Sequence, residues 1–213
     1  MSTLKVQIGP ADHGRAMTLE DFREAEEEPG YFYELARGVL EVGEVPGDQH
    51  GQILDNLHEA FSRFRASHPG LVRRIAHGSD LRVLIPLLES DRHPDLALVF
   101  FGAPLNQRGR QIPALVCEIV SPGTRARRRD YDEKSEEYLA VGIQEYWIID
   151  PEDERVTVRT FRPGAVGTPA WRERIFTGDE GIASELLPGF QCRVSQLWID
   201  PETGGEKATG NGS

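Results

Sequence analysis

Three polar residues lie beside the two most apolar stretches of the chain. Asp95 directly precedes the stretch 96–101, Glu118 lies near the end of 114–120, and Lys134 belongs to the helical stretch that follows. A carboxylate at the end of a buried strand costs several kcal/mol unless a cation compensates it. Sites for Mg²⁺ in phosphoryl chemistry use one or two protein carboxylates, and water and phosphate oxygens complete the shell. Asp95 and Glu118 on neighbouring strands therefore predict a site for Mg²⁺ (or Mn²⁺).

The spacing of Lys134 within its helix leaves two interpretations open. If Tyr131 and Tyr138 form the inward face, Lys134 lies about one turn from each, at the edge of the core. From there its ammonium could stabilise charge on a scissile phosphate or orient the attacking water. Alternatively, Lys134 pairs with Asp130, one turn earlier, on the protein surface. Periodicity alone does not choose between them.

Hydrophobic periodicity and turn residues predict a mixed α/β order of elements around these residues. Helices are predicted after Thr18, over 53–64 and over 125–141, the last with Gly142 as its C-cap. Strands are predicted at 31–35, 39–42, 71–76, 81–85, 96–101, 114–120, 146–149, 155–161 and 171–176. The last two alternate in polarity, which predicts antiparallel strands at the sheet edge. Their residues Trp171 and Phe176 form a candidate subunit interface.

Length, charge and cysteine content bound the class of protein. A chain of 213 residues can bury one substantial core. We expect an N-terminal extension over 1–16, one domain over 17–200 and a disordered tail over 201–213, because the tail has little to bury. Cys117 and Cys192 are predicted to be reduced and buried. With no membrane-spanning stretch and no signal peptide, a cytoplasmic location without membrane association is expected. The net charge of −11 argues against a general nucleic-acid coat protein.

A set of short motifs resembles a known family. The motifs are Tyr33-Glu34-Leu35 with Gly38, His50 at a helix start, Pro94-Asp95, Cys117 to Pro122, Lys134 with Tyr138, and Gly142 with Glu145 to Pro151. Their order over residues 17–198 resembles the Uma-two family of endonucleases. The resemblance implies a restriction-endonuclease-like PD-(D/E)XK fold, with a central mixed β-sheet flanked by helices. It also implies metal-dependent hydrolysis of phosphodiester bonds in DNA, by a homodimer.

The resemblance assigns roles to four residues. Asp95 would be the aspartate of the motif, and Glu118 its second acid. The motif's lysine normally follows the second acid by two residues, where this chain has Val120. The resemblance instead points to Lys134, a lysine that reaches the same place from the helix. Glu34 would be a third acid beside the metal, and its alternative is an exposed strand carboxylate.

Five further residues are candidate substrate contacts. Arg125, Arg127, Arg128 and Arg129 begin a helix, where basic side chains and the helix N-terminus together favour phosphate. The alternative is a solvated basic face on an acidic protein. His50 could contact substrate or a metal-bound water, and its alternative is a capping or packing role.

Two classes of function fit these residues. The first is a metal-dependent endodeoxyribonuclease, with RNA or another phosphodiester as a variant substrate. The second is a non-catalytic module that keeps the fold and binds nucleic acid or protein. Metal binding without hydrolysis would favour the second class.

Overall fold

The computed structural model describes residues 5–45, 47–78, 82–106, 109–164 and 167–200. The helices are α1 (Leu19–Glu24), α2 (Asp48–Ser67), α3 (Thr124–Arg128), α4 (Lys134–Val141) and α5 (Val194–Leu197), and a π-helical turn, Arg129–Glu133, joins α3 to α4. The strands are β1 (Gln7–Ile8), β2 (Glu26–Glu27), β3 (Tyr31–Ala36), β4 (Val39–Glu44), β5 (Val72–His77), β6 (Val83–Ile85), β7 (Ser90–Arg92), β8 (Leu96–Phe100), β9 (Leu115–Ile119), β10 (Glu145–Asp150), β11 (Arg155–Pro163) and β12 (Pro169–Thr177).

Six strands form the large sheet, in the order β12-β11-β10-β9-β8-β5. The pair β9 and β10 is parallel, and the other pairs are antiparallel, so the sheet is mixed. Between β9 and β10 the chain crosses one face of the sheet as α3, the π-helical turn and α4. The predicted mixed α/β fold with an antiparallel edge pair is confirmed.

Each face of the large sheet carries its own core. On one face, Ile53, Leu57 and Phe61 of α2 pack against Leu96 and Trp147. These α2 residues recur with the helical period, which gives the helix one apolar face. The other face, which we call the α4 face, has a core that includes Ala97, Val116, Val120, Tyr138, Tyr146 and Ile148. The sheet therefore separates two cores, and alternate residues of a strand face different ones.

A second sheet has the order β4-β3-β7-β6 and covers the α4 side of the molecule. Its hairpin β3–β4 turns at Arg37 and Gly38, which both have positive φ, as a two-residue hairpin turn requires. Leu35 and Leu40 of this hairpin pack with Phe22 of α1 in a third, smaller core. The hairpin is therefore anchored on α1 and extends β4 toward the start of α2.

The predicted hairpin, the long helix α2 and the central strands β8 and β9 are confirmed. The predicted helix over 125–141 is helical throughout, but it contains the π-helical turn. Strand β7 was not predicted, because Ser90–Arg92 has no apolar alternation. Leu81, the predicted start of β6, and the tail 201–213 lie outside the described residues.

The predicted interface residues on the edge strand need a correction. Phe176 is 4% exposed and belongs to the core on the α2 face, and Trp171 packs against the core on the α4 face. Of the large apolar side chains on β12, Ile175 is the exposed one, at 50%. Trp171 and Phe176 therefore do not form a surface patch. No helix in the described ranges is long and apolar enough to cross a membrane.

Candidate active site

The register of β8 and β9 brings Asp95 and Glu118 together. Leu96 is paired with Cys117 across the two antiparallel strands, and both side chains face α2. Continuing the register by one residue places Asp95 opposite Glu118, with both side chains on the α4 face. The carboxylate of Asp95 accepts a hydrogen bond from the backbone N–H of Ile119 at 2.7 Å, which ties it to β9.

His50 contacts Asp95 from the first turn of α2. Its Nε2 lies 3.0 Å from Asp95 Oδ1. Because a carboxylate only accepts hydrogen bonds, Nε2 carries the proton in this contact. His50 therefore orients Asp95 in this structure, while its ring also lines the cavity described below.

Glu118 is 3% exposed and has two side-chain partners. Lys134 Nζ donates to its Oε2 at 3.0 Å, and the Tyr138 hydroxyl donates to its Oε1 at 2.5 Å. Burial raises the pKa of Glu118 to about 8, opposed by Lys134 and reinforced by the Asp95 carboxylate. A cation near this carboxyl would therefore stabilise its ionised form.

Lys134 is buried at 3% exposure, so the alternative interpretation, a pair with Asp130 on the surface, is wrong. Its Nζ lies 3.0 Å from Glu118, 3.1 Å from Glu34 and 3.9 Å from Asp130. Burial alone would lower the pKa of the ammonium, but these carboxylates raise it above its ordinary value. Lys134 follows directly on the π-helical turn, a feature often found at functional sites. The predicted approach of Lys134 to Glu118 from the helix is observed.

Glu34 is 8% exposed, so it is not the exposed strand carboxylate of the alternative interpretation. It accepts hydrogen bonds from the His93 backbone N–H at 2.8 Å and from Arg92 Nη1 at 3.2 Å. Burial would raise the pKa of Glu34, but Lys134 and Arg92 together lower it to about 2. Glu34 is therefore an ionised partner of Lys134.

A cavity of about 320 Å³ opens over these groups. It is lined by the four acidic and basic residues above and by side chains from the hairpin, α2 and α3. Its charged and imidazole side chains include those of Glu34, Asp95, Glu118, Lys134, His50 and Arg125. Sequence elements more than 80 residues apart thus meet at one concave surface, which makes it the candidate active site.

The four arginines separate into two pairs. Arg125 and Arg129 line the cavity. Arg127 forms salt bridges with Asp150 at 2.6 Å and with Asp153, away from the cavity. The Arg128 side chain is 75% exposed and lies 3.4 Å from Glu133. Arg125 also contacts His13 at 2.6 Å, and Arg129 pairs with Asp130 at 2.9 Å. Of the four arginines, Arg125 and Arg129 are the two that border the cavity, where a phosphate would bind.

Known proteins share this architecture. A family model described as "Uma2: Putative restriction endonuclease" matches residues 19–195. The chain belongs to this family. A crystal structure from Anabaena variabilis ATCC 29413, described as a "putative nuclease belonging to DUF820", is similar with a TM-score of 0.62 and 18% identity, over 85% of this chain and 97% of that chain. That similarity concerns the fold. No curated protein sequence matches the chain.

The candidate metal ligands of this Uma2 chain are the carboxylates of Asp95 and Glu118. In the described ranges, no group of three or more His, Cys, Asp or Glu side chains is arranged to hold a metal ion. Asp95 and Glu118 supply two carboxylates, the number that Mg²⁺ sites commonly take from protein. Each carboxylate oxygen has two lone pairs, so the hydrogen bonds above leave acceptor capacity on both residues. The residues therefore fit a hard divalent cation that keeps water or phosphate oxygens as its other ligands.

Several residues of the site were not predicted as part of it. Arg92 is the last residue of the polar strand β7, His93 follows it directly, and Tyr138 was assigned only to packing. His13 lines the cavity from a segment that precedes the family match, with its Nδ1 accepting from the Val42 N–H at 3.0 Å. A polar run directly before Pro94-Asp95 was the available signal for Arg92 and His93.

The buried Asp91 of β7 should make the free energy of unfolding depend on pH. It is fully buried, its Oδ2 accepts from Arg82 at 3.2 Å, and its Oδ1 has no hydrogen-bond partner in the described part of the chain. Burial raises the pKa of Asp91 from 3.8 to about 6, so stability from this group is lost as pH rises through that range. We expect Asp91→Asn to be more stable than wild type by about 1–3 kcal/mol near pH 8, and by less near pH 5.

Urea unfolding at both pH values measures the difference. Asp55→Asn, on the exposed side of α2, is the matched control and should leave stability unchanged at both. A stability gain for Asp91→Asn that is equal at the two pH values would contradict the assignment of the effect to ionisation of Asp91.

Proposed function

We propose that this protein is a metal-dependent endonuclease that hydrolyses phosphodiester bonds of DNA. The observation that carries the proposal is the convergence of Asp95, Glu118, Glu34 and Lys134 on one cavity. Two adjacent carboxylates beside a buried lysine suit phosphoryl transfer, in which catalysis is mainly positioning and stabilisation of negative charge.

In this proposal Asp95 and Glu118 hold Mg²⁺ or Mn²⁺. The bound cation supplies Lewis-acid stabilisation of the phosphoryl oxygens. His50 and the Ile119 N–H keep the Asp95 carboxylate in place through hydrogen bonds of 3.0 and 2.7 Å. The Tyr138 hydroxyl does the same for Glu118, so neither carboxylate has to reorganise when substrate binds.

The Lys134 ammonium would stabilise the negative charge of the reacting phosphate. It is held 3.0 Å from Glu118, beside the cavity where the phosphate would lie. Because the site is largely buried, a charge there acts more strongly than in water. Glu34 lies 3.1 Å from the same ammonium and keeps it protonated and oriented.

We propose that Arg125 and Arg129 contact the DNA backbone. The net charge of −11 repels a duplex outside the cavity, so binding should be weak or selective and should depend on these two residues. We expect Arg125→Ala to weaken DNA binding about tenfold and to lower the salt slope of binding by about one.

Arg128→Ala is the matched control for Arg125→Ala, because it removes an arginine of the same helix that does not line the cavity. Fluorescence anisotropy with a labelled DNA at several salt concentrations, with Ca²⁺ in place of Mg²⁺, measures both variants. If the two variants lose DNA affinity equally, an arginine that lines the cavity contributes no more to phosphate binding than one that does not.

A non-catalytic binding module is the second candidate function. The observation that favours it is the engagement of Lys134, whose ammonium is already paired with Glu118 and Glu34. Such a module would bind Mn²⁺ and nucleic acid or protein without cleaving either.

We further propose that the protein is cytoplasmic. We also propose that it is a homodimer, because two copies of the site would let one binding event cut both strands of a duplex. Analytical ultracentrifugation with and without DNA tests the assembly. A monomer in both conditions would limit each binding event to a nick.

The experiment that separates the two functions combines binding with a substrate panel. Mn²⁺ binding is measured by calorimetry, and cleavage is measured on supercoiled plasmid, linear duplex, single-stranded DNA and RNA. Metal binding together with cleavage of DNA supports the endonuclease, cleavage of RNA alone changes the substrate, and metal binding without any cleavage supports the module.

A further inference from the structure

Arg92 is a fully buried arginine that none of the proposed catalytic steps uses. Its guanidinium binds Glu137 of α4 through two hydrogen bonds, Nε to Oε2 at 2.6 Å and Nη2 to Oε1 at 3.1 Å. Its Nη1 donates to Glu34 of β3 at 3.2 Å and to Glu41 of β4 at 2.8 Å. One side chain of β7 therefore joins the hairpin to the helix that carries Lys134.

Two of these contacts lead directly to Lys134. Glu137 follows Lys134 by three residues on α4, so fixing Glu137 fixes the rotation of the helix at Lys134. Glu34 is shared, because Arg92 binds its Oε2 while Lys134 binds its Oε1 at 3.1 Å. Arg92 thus acts on the ammonium through the backbone of α4 and through a common carboxylate.

The charges explain why this position matters. The Lys134 ammonium lies between Glu34 and Glu118, at 3.1 and 3.0 Å, and so is shared almost equally between them. Arg92 offsets part of the negative charge of Glu34. Without it, Glu34 would attract the ammonium more strongly, and the ammonium would be drawn away from Glu118 and the cavity. A lysine at position 92 is a point charge that does not reproduce the fork between Glu137 and Glu34.

We propose that Arg92 is a positioning residue that sets where the Lys134 ammonium lies between Glu34 and Glu118. The catalytic part of this inference rests on the proposed nuclease function, but the position of Lys134 does not. Arg92 does not line the cavity, and its hydrogen-bond partners among the described residues are Glu137, Glu34 and Glu41, so its effect on the reaction would pass through Lys134.

The chain offers a direct readout of Lys134. It has three lysines, Lys5, Lys134 and Lys207, so ¹⁵N-lysine labelling gives a spectrum of three ammonium groups. Lys134→Arg assigns the signal of interest by its disappearance. We expect the Lys134 ammonium signal to persist in wild type, because burial and ion pairing slow its exchange with water, and to shift or broaden in Arg92→Lys.

Two further variants complete the design. Glu137→Gln tests the same position without removing Arg92, and it decides the question if Arg92→Lys does not fold. Arg82→Lys is the matched control, because Arg82 pairs with Glu27 and Asp91 and does not line the cavity. The backbone amide spectrum reports whether each variant keeps its fold.

In cleavage assays we expect Arg92→Lys and Glu137→Gln to lower kcat about tenfold to a hundredfold, with KM changed less than about twofold. Arg82→Lys should keep the wild-type kcat. If wild type cleaves nothing, the proposed function fails, and the ammonium spectra still decide the role of Arg92. An unchanged Lys134 signal in folded Arg92→Lys and Glu137→Gln overturns the inference, as does an unchanged kcat.

Discussion

Asp95→Asn should abolish DNA cleavage while the protein stays folded. The amide has nearly the shape of the carboxylate, and its oxygen can still accept from the Ile119 N–H, as Asp95 does at 2.7 Å. What it loses is the charge that would hold the cation. Metal ions contribute several kcal/mol of charge stabilisation, so we expect a loss of roughly a thousandfold in kcat/KM. Initial rates of plasmid nicking at several Mg²⁺ concentrations measure the loss.

The same variant should lose Mn²⁺ binding by calorimetry, and this readout does not depend on turnover. Asp55→Asn is the matched control, because it makes the same chemical change on the exposed face of α2. If folded Asp95→Asn nicks plasmid at the wild-type rate, Asp95 has no part in the mechanism.

Lys134→Met should have two effects that can be separated. It leaves Glu34 and Glu118 buried without the ammonium that lies 3.1 and 3.0 Å from them. Removing one partner of a buried ion pair costs about 3–5 kcal/mol, so we expect a loss of that size in the free energy of unfolding. Without the ammonium the pKa values of both carboxyls rise in the folded state, so the destabilisation should grow as pH increases.

Cleavage by Lys134→Met should fall at least about a hundredfold, because the phosphate loses the positive charge of the ammonium. Adding Glu34→Gln to Lys134→Met should recover part of the stability, since it removes one of the two carboxylates that have lost the ammonium, but it should recover no cleavage. Lys5→Met, at an exposed lysine, is the control. Recovery of cleavage in the double variant would show that Lys134 supports only the fold.

The elements that carry the site could be predicted from apolar periodicity. The two most apolar stretches became β8 and β9, at the centre of the large sheet. Because both are buried on two faces, a carboxylate beside them had to be compensated, and this reasoning led to Asp95 and Glu118. With Tyr138 on the inward face of α4, one of the two interpretations left open by the sequence placed Lys134 at the edge of the core. These inferences depend on the local pattern of apolar residues, from which burial can be inferred in a single sequence.

The contacts that complete the site depend on long-range pairing. Arg92 lies in a three-residue polar strand. Such a strand is predicted to be exposed when its pairing partners are unknown. Its burial follows from the pairing of β7 with β3 at Leu35 and Asp91, which no local pattern specifies. The choice between the two interpretations of Lys134 also required tertiary structure, because helical spacing allows a bond to Asp130 and to Glu118 alike.

The four arginines show the same limit. Their common position at the head of a helix predicted one phosphate-binding group. The structure instead turns Arg127 toward Asp150 and leaves Arg128 in solvent, because successive residues of a helix point in different directions. Only the direction of each side chain relative to the sheet separates a substrate contact from a structural ion pair.

We propose that Asp95 and Glu118 form a metal-dependent nuclease site with Lys134. The most direct test is nicking of supercoiled plasmid by the wild-type protein in Mg²⁺, in Mn²⁺ and in excess chelator. We expect nicking with either metal and none in chelator. Cutting that persists in chelator, or no cutting of plasmid with either metal, would contradict the proposal.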